Sequence, residues 1–264
     1  MCTLIVRHQP DTAYPTVLAA NRDEFYARAW SPPQVLDTDP RIYGGRDEQQ
    51  GGTWLGFSEA GVFVGLTNQR NFAGYQSSRR SRGELVLDAL RRETLDGLTD
   101  YFRGLDASQY NDWNVLFGDG TELWVAYGRA EPGTVELAQL PAGVHVLCND
   151  RLGSPAYPKA DRMKEAVLAI DEASWAELQQ KLEAIVAETR LPSDSELPPL
   201  GDDAPFDTET ARRLQANCIR TPAYGTVSST IAAVRPGRIA QYFFAPGPPD
   251  VTPFEDQSVL FSRP

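Results

Sequence analysis

The sequence predicts an α+β domain of antiparallel sheets with helices packed outside them. Three observations predict it. Strand-like segments fill the first third of the chain, helical segments follow, and strands return at the end. Turn signals at Ser58-Glu59-Ala60-Gly61 and Gly118-Asp119-Gly120 join neighbouring strands as hairpins. The regular β–α alternation that a parallel doubly wound sheet requires is absent. At 264 residues the chain can bury a full core, and no repeat or break in composition divides it, so residues 1–264 read as one domain.

The elements follow in order. Residues 3–8 and 16–20 are short β-like runs, parted by a loop holding Pro10 and Pro15. Residues 31–40 carry three prolines and read as irregular. Gly51-Gly52 opens a strand at 53–57, and the turn after it leads into 62–67. Leu85, Leu87, Ala89 and Leu90 predict a helix over 84–92, with Ser81 and Glu84 in the spacing of a capping box. Strands at 114–117, 123–127, 135–140 and 144–148 come next, then helices at 159–170 and 174–189. The second of these helices has a stripe of Leu178, Leu182, Ile185 and Val186. Residues 191–208, rich in proline and acid, read as a surface loop, and strands at 217–220, 226–234, 239–244 and 258–261 close the chain.

Composition excludes several function classes. The net charge of −11 argues against nucleic acid, whose phosphates need a basic surface. No apolar run is long enough to span a bilayer, and the start of the chain does not read as a signal peptide. Cys2, Cys148 and Cys218 make an odd, widely spaced set that suggests neither a disulfide framework nor a zinc site, and a reducing cytoplasm suits it. No Gly-x-Gly-x-x-Gly follows a strand and no Walker-type lysine loop exists, which removes dinucleotide and P-loop readings. One local asymmetry stands against the acidic average. Arg70, Arg79, Arg80 and Arg82 fall between Asn68 and Gly83 with no acid among them. Guanidinium forks bind carboxylate and phosphate bidentately, so the run is a candidate anion site; the alternative is a solvated loop.

The candidate nucleophile is Cys2. Removal of Met1 requires a small second residue, and cysteine qualifies. The product carries a thiol and a free α-amine on one residue, and an amine of pKa about 8 is a suitable base for the thiol proton. His8 and His145 are the only histidines, which weakens a Cys–His dyad, and His8 reads as a hydrogen-bonded strand residue. Cys148 and Cys218 sit in apolar strand sequence and read as core. Directly after the strand at 16–20 come Asn21-Arg22-Asp23-Glu24, four polar residues that cannot all face solvent if a loop there folds back on the first strand.

These residues resemble the NRDE proteins, also called the transport and Golgi organisation two family. The resemblance runs through most of the chain. It includes Met1-Cys2, Asn21 to Glu24, Gly44-Gly45-Arg46-Asp47, Gly51-Gly52-Thr53-Trp54-Leu55-Gly56 and Leu66-Thr67-Asn68. It continues through Ser81-Arg82-Gly83-Glu84-Leu85, the stretch from Asn149 to Pro158-Lys159, and Tyr224-Gly225-Thr226. That family looks related to the N-terminal nucleophile hydrolases, in particular the cysteine acylases that cleave bile-salt and penicillin V amides. The resemblance implies a four-layer αββα sandwich. Cys2 would be nucleophile, with its own amine as base; Asp23 would hold the amine, and Asn68 and Asn149 would lie near the oxyanion. Asn21, Arg22 and Glu24, with Arg70, Arg79, Arg80 and Arg82, are the ligand-binding candidates.

Two positions depart from the pattern. The acylases carry an arginine where this chain has Ala20, and strand alternation aims Arg22 and Asp23 at opposite faces. The family's Tyr-Gly-Thr-Arg ends here in Val227, leaving Arg220 or Arg235 to supply a second cation. Two functions follow from the resemblance. One is hydrolysis of a linear C–N amide bond through Cys2, with no cofactor required. The other is a carrier in haem trafficking or in lipid and acyl-CoA homeostasis. In it the arginines would hold propionates or phosphates, and Trp54, Phe72, Tyr75 and Trp113 would cover a flat ring. In either case the partner is a small molecule with an acyl or carboxylate group.

Overall fold

The computed structural model describes residues 2–71, 74–171, 174–200 and 204–261. Along the chain run β1 (Cys2–His8), β2 (Thr16–Phe25), β3 (Trp30–Thr38), β4 (Arg41–Asp47), β5 (Leu55–Ser58) and β6 (Phe63–Asn68). Helices α1 (Arg82–Leu90) and α2 (Leu95–Gly104) follow, then β7 (Trp113–Gly118), β8 (Leu123–Arg129), β9 (Thr134–Leu140) and β10 (Gly143–Leu147). Helices α3 (Pro158–Leu168), α4 (Trp175–Ala187) and α5 (Thr208–Arg213) precede β11 (Tyr224–Arg235), β12 (Arg238–Ala245) and β13 (Glu255–Asp256).

The strands form two antiparallel sheets, one in the order β10-β1-β2-β11-β12-β13 and the other β3-β4-β5-β6-β7-β8-β9. Alternation along each strand gives every sheet two apolar faces, and three buried clusters fill the gaps. Leu4, Val6, Leu18 and Ala20 pack between the sheets against Leu55, Phe57 and Phe63. Ile5, Val17 and Ala19 face the other way, toward Met163 and Val167 of α3 and Leu178, Leu182 and Val186 of α4. Val64, Val115 and Phe117 pack under α1 and α2 through Leu85, Val86, Leu98 and Phe102. The molecule is therefore the four-layer αββα sandwich that the resemblance implies. No helix among the described residues is long and apolar enough to cross a membrane.

The departures from the sequence reading have local causes. The proline-rich segment 31–40 is mostly strand: β3 is the outer strand of its sheet, where a missing N–H leaves no ladder bond unmade, and its register shifts beside Pro32 and Pro33. β4 and α2 are additional elements. α2 begins at a Thr94 cap that accepts from the Gly97 N–H and buries Leu98 and Phe102. Residues 217–220 make a single bridge, Arg220 to Gly225, because Pro222 lies in the tight connection to β11. Residues 258–261 form a 3-10 turn that lays the Phe261 ring against Tyr43, Phe57 and Tyr242. The polar motif Asn21 to Glu24 is not a loop folded back on the first strand but the continuation of β2.

Candidate functional site

The register of β1 on β2 sets the site. Cys2 lies opposite Arg22, Thr3 opposite Asn21 and Leu4 opposite Ala20. Cross-strand partners share a face, so Cys2 and Arg22 join the inter-sheet side while Asn21 and Asp23 alternate toward the helices. At the open end of the sandwich, Cys2, Arg22, Asp23, Glu24, Trp54 and Asn68 help to line a chamber of about 330 Å3.

Arg22 is 4% exposed and stacks on Trp54, with 3.9 Å from the guanidinium carbon to the ring centroid; Trp30 lies 5.7 Å away. Its Nη1 has no hydrogen-bond partner among the described residues. Asp23 accepts a 2.6 Å hydrogen bond from the Thr226 hydroxyl, and its main-chain carbonyl accepts one of 2.9 Å from Tyr224. Burial raises the Asp23 carboxyl above the usual carboxylate range, opposed chiefly by the charge of the buried Lys159. Burial also pushes the Cys2 thiol up; Asp23 adds to the rise, while Arg22 and the Asp23 backbone N–H work against it.

The asparagines divide their work. Asn149 donates its side-chain amide to the Asn68 carbonyl at 2.8 Å, and its own carbonyl accepts from the Arg70 N–H at 2.6 Å. It ties the end of β6 to the segment after β10. Asn68 lines both the Cys2 chamber and a neighbouring one of about 270 Å3. Asn21 lines neither chamber: its amide donates to the carbonyls of Val186 and Asn217, both at 2.9 Å, anchoring β2 to the helix layer.

The arginine run divides as well. Arg82 lines both chambers, and Arg70 and Arg79 line the second. Arg80 lines neither; it faces solvent and pairs with Glu84 at 3.2 Å and Asp88 at 3.1 Å on α1. Arg220 and Arg235 supply no cation here. The first pairs with Asp250 at 2.9 Å, and the second donates to the Ala13 carbonyl at the opposite end of β11. Arg22 and Arg82 bring positive charge to the Cys2 chamber instead.

Of the aromatics, Trp54 and Tyr75 line chambers, Trp113 is fully buried under α2, and Phe72 lies outside the described residues, as does Met1. His8 bonds Thr16 at 2.9 Å at the far end of β1, and His145 bonds the Pro141 carbonyl at 2.9 Å. Cys148 and Cys218 are buried. Sequence reasoning missed Lys159 as part of the site, although the Pro158-Lys159 pair was within the resemblance. Its ammonium donates to the Ala216 carbonyl at 3.3 Å.

A close backbone crossing fixes Arg82. A Cβ built on Gly52 would lie 2.2 Å from the Gly83 carbonyl carbon, and the Thr53 N–H donates to the Gly83 carbonyl at 3.3 Å. Gly52→Ala is expected to cost about 2 kcal/mol in urea unfolding, since backbone, not a flexible side chain, must move.

Comparison with solved structures identifies the architecture. The chain aligns over its full length with the conjugated bile acid hydrolase of Clostridium perfringens, covering 95% of that chain at TM-score 0.52 and 12% identity. It also aligns over 98% of its length with penicillin V acylase of Agrobacterium tumefaciens, covering 86% of it at TM-score 0.54 and 10% identity. The fold is thus that of the N-terminal nucleophile hydrolases. The family profile for Transport and Golgi organisation 2 matches residues 1–243, and the chain belongs to that family. The human Transport and Golgi organization protein 2 homolog is 30% identical over 251 residues, spanning 89% of this chain and 88% of the relative. The mouse homolog is 29% identical over the same shares.

Proposed function

We propose that the chain hydrolyses a linear amide bond through an acyl-enzyme on Cys2. The observation that carries the reading is the position of Cys2 opposite Arg22, in a chamber that also holds Asp23, Asn68 and Arg82. After loss of Met1, the α-amine of Cys2 takes the thiol proton and the sulfur attacks the carbonyl carbon. The Asn68 amide and the nearby guanidiniums stabilise the oxyanion. Collapse breaks the C–N bond, and the departing amine takes the proton held by the α-amine. Water then cleaves the thioester and releases the acid. Asp23 orients the α-amine, and Lys159 supports its negative charge. The thiol must stay reduced, which fits a cytoplasmic setting.

Intact mass after incubation with p-nitrophenyl decanoate tests the scheme. The expected spectrum shows a chain without its initiator methionine and a decanoyl adduct that is lost in Cys2→Ala. Retained methionine, or an adduct that survives Cys2→Ala, would sink the reading.

One observation favours a second reading, a carrier that binds an acidic ligand without turnover. Arg70, Arg79 and Arg82 line a chamber beside the Cys2 site, and burial pushes the Cys2 thiol up from its ordinary value, against its nucleophilicity. Haem or an acyl-CoA would be cargo here, with Arg70, Arg79 and Arg82 on its acidic groups. For haem the expected result is a saturable Soret shift that weakens in Arg79→Gln; an unchanged spectrum at micromolar haem opposes that cargo.

A further inference from the structure

The second chamber shares Asn68, Tyr75 and Arg82 with the first, and the acylation scheme makes no other use of it. It is cationic. Among the described residues, Arg70, Arg79 and Arg82 line it against one carboxylate, Asp112. That carboxylate is already engaged: it accepts from the Ala130 N–H at 2.8 Å and the Asn71 amide at 3.1 Å, and pairs with Arg129 at 3.4 Å. The three guanidiniums therefore give the chamber a surplus of positive charge in a chain of net charge −11.

Their placement is built into the fold. Arg82 opens α1 with its Nη1 on the Asp112 carbonyl at 3.1 Å. Arg70 lies over the ring of the buried Tyr157, 4.6 Å from its centroid, on a backbone fixed by Asn149. Arg79 meets Glu131 at 3.8 Å, and the Glu131 side chain is 88% exposed, so solvent screens that pair. The chambers also differ in character. Phe25, Trp54 and Leu66 give the Cys2 chamber apolar wall for an acyl chain beside its own Arg22 and Arg28, while Arg70 and Arg79 line the second chamber and not the first.

We infer that the second chamber receives an anionic group, carboxylate or phosphate, carried by the amine half of the amide whose carbonyl lies at Cys2. This rests on the acyl-transfer reading and adds a substrate class to it: N-acyl compounds whose amine component bears an acid. The acyl chain lies against Trp54 and Phe25, the scissile carbonyl beside Cys2 and Asn68, and the acid on the guanidiniums. The released amine then departs through the cationic chamber.

Three probes that differ only in the head test the assignment: N-decanoylglycine, N-decanoyl-O-phosphoethanolamine and neutral N-decanoylethanolamine. Each is titrated calorimetrically into Cys2→Ala protein, which cannot form the thioester. At least one acidic probe is expected to bind about tenfold or more tighter than the neutral one, as charge-assisted hydrogen bonds allow. That preference is expected to shrink with added salt and to collapse in Cys2→Ala carrying Arg70→Gln and Arg79→Gln. The tighter acidic probe identifies the group as carboxylate or phosphate. Equal binding of all three probes, or a preference that neither salt nor the arginine substitutions reduce, would overturn the inference; the salt series decides if the arginine variant misfolds. Wild-type protein with the same probes separates the two claims. Preference without cleavage removes the hydrolase and leaves an anion site; cleavage without preference removes the anion site and leaves the hydrolase.

Discussion

Cys2→Ala is expected to lower amide turnover by about 10⁴-fold or more while leaving the fold intact. The size follows from removing the atom that forms the covalent intermediate; the residual rate comes from binding and oxyanion stabilisation alone. The small structural cost follows from position. Cys2 stands at the very start of β1, and its place opposite Arg22 in the ladder to β2 is made by backbone, which alanine retains. A shift in Tm of about 2 °C or less is expected. Cys2→Ser should also be nearly inactive, because a hydroxyl is a far weaker acid than a thiol. Steady-state hydrolysis of the tighter N-decanoyl probe, with unfolding followed on the same samples, checks both halves. Turnover that persists in Cys2→Ala would place the chemistry elsewhere.

Asp23→Ala carries the second large effect, about 3 kcal/mol of stability at pH 7. The substitution takes the acceptor from the Thr226 hydroxyl, leaves the buried Lys159 ammonium without its nearby negative charge, and opens a void at a position 1% exposed. The pH dependence has a definite sign. Burial raises the folded-state pKa of Asp23 above 3.8, so the stability from its protonated form is fully present below 3.8 and is lost as pH rises through the folded value. The gap between wild type and Asp23→Ala therefore widens as pH falls from neutral. Asp23→Asn retains an acceptor for Thr226, costs less and lacks that titration. Urea unfolding of the three proteins between neutral pH and pH 4 measures it; a gap that narrows on acidification contradicts the assignment.

Much of this arrangement is written in local pattern. Alternation along 16–20 extends through Arg22 and Asp23, and that alone assigns the two residues to opposite faces. What it cannot reveal is which face Cys2 shares, because that depends on the pairing of β1 with β2. Arg22, not a residue at position 20, thereby becomes the cation beside the thiol. The arginine run shows the same boundary. Arg79 and Arg80 are neighbours in sequence, yet one enters the chamber and the other pairs along α1. β3 was obscured because proline is costly inside a sheet and harmless at its rim, and rim position is a property of the whole sheet. Lys159 was obscured because a lysine on a helix ordinarily faces water. It is buried here with its ammonium on the carbonyl of Ala216 and its charge acting on Asp23, 136 positions away.

The place of β1 between β10 and β2 has a practical corollary. From Leu4 onward the strand has a hydrogen-bonded neighbour on each side, and Cys2 itself is held opposite Arg22 of β2. Cys2 lines the cavity together with Arg22 and Trp54, so any purification tag fused ahead of that residue starts beside the cavity. A cleavable tag that leaves even one extra residue ahead of Cys2 would keep its α-nitrogen in a peptide bond and abolish the free amine. Recombinant protein intended for assay should therefore carry nothing ahead of Met1.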